Sequence, residues 1–340
     1  MNPTVLMPSV LKPGGHLRVV SPASPLLTHV PDRRDRAERA SRQLGLRLSY
    51  GRHAEAVSPD GATAGTAQQR AADLMEAFED PDVDAIFCSD AGEGSDDLVP
   101  HLDPDRIRSN PKPFIGYSDN VYLNQYLLSR AGLVSYYGYT FLHHLGEVGG
   151  AFPETLDNFR AAVMSGDDLW CRPVPTRTDD WYSWVDPAVR TRTRRRRVPG
   201  GYDWLRPGRA EGQLVGAALP LVPDLVRRFD LSLDGAVLFW DVNLYNEVPI
   251  RRLLSDVAEC ADLTRLAGML VGAHQRLSAP HWAAQVAQEL DAVAPGCTYP
   301  VMVNTDLSHL CPAWLVPYGA RVVLGEGDGL LFRRGPNGGM

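Results

Sequence analysis

The sequence contains little lysine, few cysteines and no long apolar run. All but two of its 34 basic residues are arginine, the exceptions being Lys12 and Lys112. The five cysteines are odd in number and scattered without paired metal-ligand spacing. No segment approaches the roughly 18 consecutive apolar residues of a membrane span, and the first residues lack the pattern of a secretory signal. These absences argue against a disulfide-rich secreted domain and predict a protein of the reducing cytoplasm that does not enter a membrane.

The charge balance excludes another class of function. Acidic residues outnumber basic ones, and the formal net charge is −7. This value argues against a general nucleic-acid-binding protein. The charge is unevenly distributed, because residues 181–209 carry eight arginines against Asp186 and Asp203, a local charge of +6. With 340 residues and 44% hydrophobic content, the chain is long enough to bury a large core and to form two domains.

Short apolar runs alternate with helical periods along most of the chain. In the first part the predicted strands are HLRVVSP, LRLSYG, DAIFCSD, PFIGYS and LVSYYGY. In the last part they are QLVGAAL, AVLFWDV, GMLVGAH and YPVMVN. This alternation predicts an α/β fold with parallel sheets covered by helices. We therefore expect an N-terminal α/β domain at 1–165, a Trp/Arg-rich connecting loop at 166–210, and a C-terminal α/β domain at 211–340.

The octapeptide PFIGYSDN, residues 113–120, places a serine where a strand ends and a helix begins. One interpretation is that Ser118 or Asp119 caps the helix, because their side-chain oxygens accept bonds from its first free N–H groups. The other is a nucleophile elbow, in which a tight turn exposes the serine hydroxyl beside backbone donors. The octapeptide alone favours the cap, since short motifs often occur by chance.

Two further polar residues follow predicted strands in the second part of the chain. Asp241 ends the strand VLFWD, and His309 lies in the loop TDLSHLCP after the strand YPVMVN. Taken singly, each has a structural explanation. Together with Ser118 they give the order Ser–Asp–His. A serine hydroxyl becomes nucleophilic when an imidazole takes its proton, and the imidazole needs an acid that fixes its tautomer.

Several segments in the same order resemble the serine LD-carboxypeptidase family, which includes the microcin C immunity peptidases. The matching segments are LKPGGHLRVVSPASP, AIFCSDAGEGSDDLVPHLD, PKPFIGYSDN, EGQLVGAAL, AVLFWDVNLYNEVPIRRLL and SHLCPAWLVPYG. The resemblance implies a flavodoxin/amidotransferase-like N-terminal domain with a parallel sheet, and a smaller C-terminal α/β domain of the swivelling type. It also implies a homodimer and no metal or other cofactor, and it favours the nucleophile interpretation of Ser118.

The resemblance implies specific roles for residues of this chain. Ser118 is the expected nucleophile, His309 the general base and Asp241 the orienting acid. The backbone N–H groups of Gly92 and Asp119 are expected to form the oxyanion hole, where losing one donor typically costs about 10²–10³ in rate. The residues expected to bind substrate are Trp181, Trp184, Glu93 and Tyr139.

Three departures from the family pattern bear on activity and substrate. Asp241 stands where the family carries glutamate, and a misplacement of about 1 Å can cost about 10²-fold in rate. Glu247 is the less favoured alternative acid. The family's Arg-Gly-Gly-Tyr-Gly-Ser is replaced by the segment 90–95, DAGEGS, and its Gly-Gly-Asn-Leu by GAAL at 216–219. The missing arginine weakens the case for a cell-wall peptide as substrate.

The Trp/Arg-rich segment 166–210 leaves two interpretations open. Its arginines, in RTRTRRRR at 190–197, are typical of a solvated or disordered loop tip. Alternatively the segment is a lid whose tryptophans stack on a planar group and whose arginines meet phosphate or carboxylate. The microcin C immunity peptidases are similar to this chain in the Trp-bearing segment, which favours the second interpretation. We read the neighbouring pair His143 and His144 as structural, because no ligand cluster accompanies them in sequence.

Four hypotheses about function follow. The favoured one is a serine peptidase or amidase that acts on a peptidyl or aminoacyl conjugate, including the self-immunity type of antibiotic detoxification. The others are a muropeptide LD-carboxypeptidase, a binding protein that lost turnover through the Asp241 change, and an α/β-hydrolase esterase. The esterase is disfavoured because Asn120 replaces the second glycine of its elbow motif.

Overall fold

The structure is a computed structural model that describes residues 5–188, 190–243, 248–325 and 329–334. The strands are β1 (His16–Val20), β2 (Arg47–Tyr50), β3 (Ala85–Cys88), β4 (Phe114–Gly116), β5 (Ser135–Tyr137), β6 (Leu169–Cys171), β7 (Asp203–Arg206), β8 (Ala210–Ala218), β9 (Val237–Asp241), β10 (Gly268–Gly272), β11 (Val301–Thr305), β12 (Val316–Tyr318), β13 (Arg321–Leu324) and β14 (Leu330–Phe332). Glu247, the alternative acid considered above, lies outside the described residues.

The α-helices are α1 (Leu26–His29), α2 (Pro31–Gln43), α3 (Ala67–Glu79), α4 (Pro104–Ser109), α5 (Val121–Tyr126), α6 (Pro153–Phe159), α7 (Val222–Phe229), α8 (Ile250–Ala258) and α9 (Ala279–Val293). Short 3₁₀ segments lie at Ser95–His101, Ser118–Asn120, Leu219–Leu221 and Leu263–Arg265, and π-helical turns at Leu127–Ala131, Phe141–Leu145 and Arg160–Met164. The start of α3 illustrates how the sequence sets these bounds: the Thr66 hydroxyl accepts from the Gln69 backbone N–H, and the Gln69 side chain accepts from Thr66.

The first sheet confirms the expected parallel α/β architecture. Its strand order is β12-β5-β4-β3-β1-β2, and β1 to β5 run parallel. The order 2-1-3-4-5 is that of a flavodoxin-like doubly wound sheet, in which ligands bind at the carboxyl ends of the strands where the order reverses. That position lies between β1 and β3, one strand away from β4.

The second sheet is mixed, and it changes the expected division of the chain. Its order is β6-β14-β13-β8-β9-β10-β11-β7, with β8 to β11 parallel and the outer strands antiparallel. Strands β6 and β7 belong to the segment 166–210, so that segment is more than a connecting loop. Strand β12 lies between β11 and β13 of the second sheet in sequence but pairs with β5 of the first sheet.

Aromatic side chains pack the two sheets against each other. The Tyr137 ring at the end of β5 lies 4.9 Å from the Phe239 ring on β9, and Phe239 also contacts Tyr318 on β12 at 6.2 Å. All three side chains are almost fully buried. This shared core holds the carboxyl end of β9 near the carboxyl end of β4. In the described part of the chain, every helix is too short or too polar to cross a bilayer.

Candidate active site

Ser118 lies at a strained turn between β4 and α5. Its φ angle is +53°, which is unusual for a residue other than glycine. A β-carbon at Gly116 would lie 2.9 Å from the Asn120 Cβ, so the glycine permits the chain to turn this tightly. The helix-cap interpretation is wrong for both candidates: the Ser118 hydroxyl contacts His309, and Asp119 accepts from the Ser95 backbone N–H. Strain of this kind is typical of a nucleophile elbow.

His309 and Asp241 meet Ser118 in one hydrogen-bonded chain. The His309 Nε2 lies 3.2 Å from the Ser118 Oγ, and its Nδ1 lies 2.5 Å from the Asp241 Oδ2. The same carboxylate oxygen accepts from the His309 backbone N–H at 2.8 Å. Gln275 donates to the His309 carbonyl at 3.0 Å, which fixes the loop from its other side. The structure thus brings together the three residues predicted from three distant segments.

Close packing of backbone segments around Asp241 allows this aspartate to take the place of the longer glutamate. A β-carbon at Gly272, the last residue of β10, would lie 2.6 Å from the Asp241 Cβ and 2.3 Å from the Leu307 carbonyl oxygen. Glycine therefore lets β9, β10 and the loop 306–310 pack closely. This packing brings His309 within hydrogen-bond reach of an aspartate, although the family pattern has a glutamate here.

The loop after β3 is tied to the turn that carries Ser118. The Ser95 N–H donates to the Asp119 carboxylate at 2.9 Å, and the Ser95 hydroxyl donates to the Asp119 carbonyl at 2.6 Å. Burial raises the pKa of Asp119 to about 6. Gly92 in the same loop has φ +127°, and a β-carbon there would lie 2.9 Å from the Ser24 Cβ. The loop therefore passes close to the end of β1.

A cavity of about 960 Å³ opens on Ser118 and His309. Of the predicted substrate-binding residues, Trp181, Trp184 and Glu93 line it, and Gly92 does as well. The prediction for Tyr139 is wrong. That side chain is fully buried, its hydroxyl donates to Asn158 at 3.0 Å, and its ring stacks on His144 at 4.5 Å outside the cavity.

The arginines of 190–197 do not line the cavity, and most of them have a partner. Five of them pair with carboxylates, as Arg190–Asp32, Arg194–Glu147, Arg195–Asp180, Arg196–Glu154 and Arg197–Asp179. The sixth, Arg192, stacks on the Tyr182 ring at 4.7 Å. The expectation that these arginines meet a ligand group is therefore wrong, whereas the exposure of Arg190, Arg192, Arg195 and Arg197 fits a solvated loop. Arg190, Arg194 and Arg196 tie the segment to carboxylates outside it, and the tryptophans of the segment line the cavity.

Trp184 is held on one side by a buried cation. The Arg33 guanidinium lies 3.9 Å from the Trp184 ring centroid, and it also donates to the carbonyl oxygen of Leu142 at 2.8 Å. Burial is the main reason why the pKa of Arg33 falls to about 10. The neighbouring Glu147 is 2% exposed and accepts from Arg194 at 2.9 Å.

The pair His143 and His144 has a third neighbour that its spacing did not reveal. The His143 Nε2 lies 3.1 Å from the Cys311 Sγ, and potential ligand atoms of all three residues lie within 4.8 Å of one another. Burial lowers the pKa of both histidines well below the usual range. The positive charge of Arg194 contributes to this lowering of both histidine pKa values. Such a cation disfavours a divalent metal ion at this position.

Comparison with known proteins places both sheets in one family. The N-terminal domain of the LD-carboxypeptidase family matches residues 17–138, and its C-terminal domain matches residues 211–324. A Bacillus subtilis protein named probable murein peptide carboxypeptidase is 26% identical over 94% of this chain and 92% of its own length.

Solved structures show the same fold over nearly the whole chain. An MccF-like protein from Bacillus anthracis superposes with a TM-score of 0.87 and 26% identity, covering 97% of this chain and 99% of that one. The microcin C7 self-immunity protein MccF, solved in complex with aspartyl sulfamoyl adenosine, gives a TM-score of 0.82 at 21% identity, covering 96% and 98%.

Proposed function

Because this chain belongs to the LD-carboxypeptidase family, we propose that it is a serine peptidase or amidase that hydrolyses an amide bond in a small peptidyl or aminoacyl conjugate. The observation that carries the proposal is the continuous contact from Ser118 through His309 to Asp241. Each contact lies within the reach needed for proton transfer. A lapsed binding protein would need no such alignment.

In the proposed reaction the Ser118 Oγ attacks the carbonyl carbon of the scissile amide while His309 Nε2 takes its proton. Asp241 accepts the His309 Nδ1–H, which leaves Nε2 as the basic nitrogen and stabilises the imidazolium. His309 then gives the proton to the leaving amine as the C–N bond breaks. Water, deprotonated by His309, cleaves the acyl-enzyme ester and regenerates the Ser118 hydroxyl.

The proposed oxyanion hole uses the backbone N–H groups of Gly92 and Asp119. Two features support it. Asp119 directly follows the nucleophile in an elbow, the position that supplies one donor in related turns. Gly92 lines the cavity, on a loop tied to that elbow by Ser95. Such donors stabilise the negative charge that develops on the carbonyl oxygen.

The substrate class rests on the relatives and on the cavity. MccF, which shares the fold, was solved with aspartyl sulfamoyl adenosine, and self-immunity against an aminoacyl-conjugate antibiotic is the corresponding role for this chain. The flat rings of Trp181 and Trp184 are suited to stacking on a planar group. The second candidate is a muropeptide carboxypeptidase, favoured by the name of the Bacillus subtilis relative.

A product-release assay tests the proposal. The purified protein is incubated with a panel of aminoacyl sulfamoyl nucleosides, dipeptides and muropeptide tetrapeptides, and the products are identified by mass spectrometry. We expect cleavage of the amide bond of an aminoacyl conjugate, which releases the free amino acid and the protonated nitrogen leaving group and which is lost in Ser118→Ala. Release of the terminal residue from a muropeptide alone would select the second candidate. Ligand binding without turnover in the whole panel would favour the lapsed binder.

The proposal also covers the cellular compartment and the oligomeric state of the protein. We place it in the cytoplasm as a homodimer, as the family resemblance implies, and its five free thiols fit a reducing compartment. Light scattering coupled to size exclusion measures the oligomeric state. A mass near that of the 37.3 kDa monomer would contradict the dimer.

A further inference from the structure

The charged side chains of one sign, the acidic ones, dominate the lining of the cavity at Ser118. Its lining contains three carboxylates, Asp90, Glu93 and Asp96. Every lysine and arginine of the chain lies within the described residues, and none of them lines this cavity. A surface that binds phosphate or a terminal carboxylate normally presents arginine or lysine to it. This cavity presents the opposite charge.

Two of the three carboxylates form no ion pair among the described residues, although the positive charge of Arg33 acts on Asp90 from a distance. Asp96 forms an ion pair with Arg228 at 2.9 Å. The partly buried Asp90 accepts from the Thr140 hydroxyl at 3.1 Å, and the exposed Glu93 forms no ion pair within the described ranges. Removing a carboxylate from water without a counter-charge costs free energy. A cation brought by the ligand would offset that cost at Asp90.

The nearby arginines are occupied elsewhere. Arg33 and Trp184 together line a separate small cavity, whereas Trp184 alone of the two lines the cavity at Ser118. Arg33 donates to the carbonyls of Leu142 and His143, and Arg194 pairs with Glu147. Their guanidinium groups therefore hold the walls of the site and are not presented to a ligand.

We infer that the cavity selects substrates that carry a cationic group, a protonated amine or a guanidinium, and that Asp90 and Glu93 set this preference. The inference rests on the proposed hydrolase function and narrows its substrate class. An ammonium or guanidinium can form charge-assisted hydrogen bonds with Asp90, whose position at the carboxyl end of β3 faces the same space as Ser118. A substrate carboxylate or phosphate would meet like charge there, which provides discrimination against it.

Three fluorophosphonate probes test the preference without knowledge of the natural substrate. They share one alkyl linker and end in an ammonium, a methyl or a carboxylate group. The measured quantity is the second-order rate of Ser118 labelling, followed by intact mass. We expect the order ammonium, methyl, carboxylate, with at least about tenfold between the first and the last, which corresponds to about 1.4 kcal/mol. Added salt should narrow this ratio.

Single substitutions test whether Asp90 and Glu93 cause the preference for the ammonium probe. Asp90→Asn and Glu93→Gln should each lower the ammonium-to-carboxylate ratio. The matched control Asp157→Asn removes a carboxylate on α6 that is 76% exposed and outside the cavity, and it should leave the ratio unchanged. Because Glu93 is an exposed loop residue, its variant remains informative if Asp90→Asn fails to fold.

The outcomes separate the two proposals. Equal labelling by all three probes, or fastest labelling by the carboxylate probe, would overturn the charge preference and leave the hydrolase function standing. An unchanged ratio in both cavity variants would likewise overturn the assignment to Asp90 and Glu93. Labelling by none of the probes, including the neutral methyl probe, would remove the hydrolase function and the preference together.

Discussion

Replacement of Asp241 tests whether an aspartate fully supports this triad. In Asp241→Asn the side-chain amide can present its N–H to His309, which favours the imidazole tautomer that cannot accept the proton of Ser118. We expect kcat to fall about 10⁴-fold, the loss found when the acid of a comparable triad becomes an amide. The fold should persist, because asparagine has nearly the volume of aspartate. The same Asp241 oxygen accepts from the His309 Nδ1 and from its backbone N–H, so an amide N–H turned toward Nδ1 also gives up the backbone contact.

The longer acid in Asp241→Glu should also reduce activity, although it restores the family residue. The Asp241 oxygen already lies 2.5 Å from the His309 Nδ1, and an added methylene extends the side chain by about 1.5 Å. The backbone of residue 241 cannot move away from His309 to make room, because Gly272 packs against the Asp241 Cβ. His309 must therefore shift by about 1 Å relative to Ser118, which predicts a loss of about 10²-fold.

The assay is kcat on the conjugate found by product release, with the neutral fluorophosphonate as an independent measure of Ser118 reactivity. Thermal unfolding of each variant separates loss of the triad from loss of the fold, and Asp157→Asn serves as a neutral control. Unchanged turnover in Asp241→Asn would refute the triad and direct attention to Glu247. Higher activity in Asp241→Glu would indicate a decayed site in place of an adapted one.

Three further predictions concern the walls of the site. Glu147→Gln should lower the free energy of unfolding by about 3 kcal/mol, because it leaves the buried Arg194 without its carboxylate; a loss below about 0.5 kcal/mol in urea unfolding would contradict this. Burial raises the pKa of Asp90 to about 6, above its unfolded value of about 3.9. The parent therefore loses stability as the pH rises through that interval, and Asp90→Asn should be more stable than the parent by about 1–2 kcal/mol at pH 7.5 and equal to it near pH 4; equal stabilities at pH 7.5 would exclude the effect. Trp184→Ala should raise KM at least about fivefold with a smaller change in kcat, whereas a pure loss of kcat would show that the ring positions the triad and does not hold the substrate.

Local periodicity was sufficient to predict the first sheet. Each of its five parallel strands follows a short apolar run, and strand–helix alternation leaves few arrangements other than a parallel sheet. The position of Ser118 at a strand end was predictable for the same reason. Its role was not, because a helix cap and a nucleophile elbow share the same residues and differ only in the contact that the hydroxyl makes.

Long-range pairing accounts for what the sequence did not reveal. Strand β12 is three residues long and pairs with β5, which lies far from it in the chain. The meeting of Cys311 with His143 likewise depends on tertiary packing and follows no ligand spacing. The sequence did not show that Arg190 and Arg194 are paired, because their partners Asp32 and Glu147 lie in earlier segments. Tyr139 was misassigned for a similar reason, since burial depth is not encoded in a motif.

The most direct test of the triad is covalent labelling by the neutral fluorophosphonate, with the modified residue located by peptide mapping. The triad predicts one adduct per chain, on Ser118, with labelling abolished in Ser118→Ala and slowed by at least about 10³-fold in His309→Ala. The assignment of Ser118 as the nucleophile would be contradicted if folded, ligand-binding protein were not labelled by the probe. An adduct on any other residue would contradict it as well.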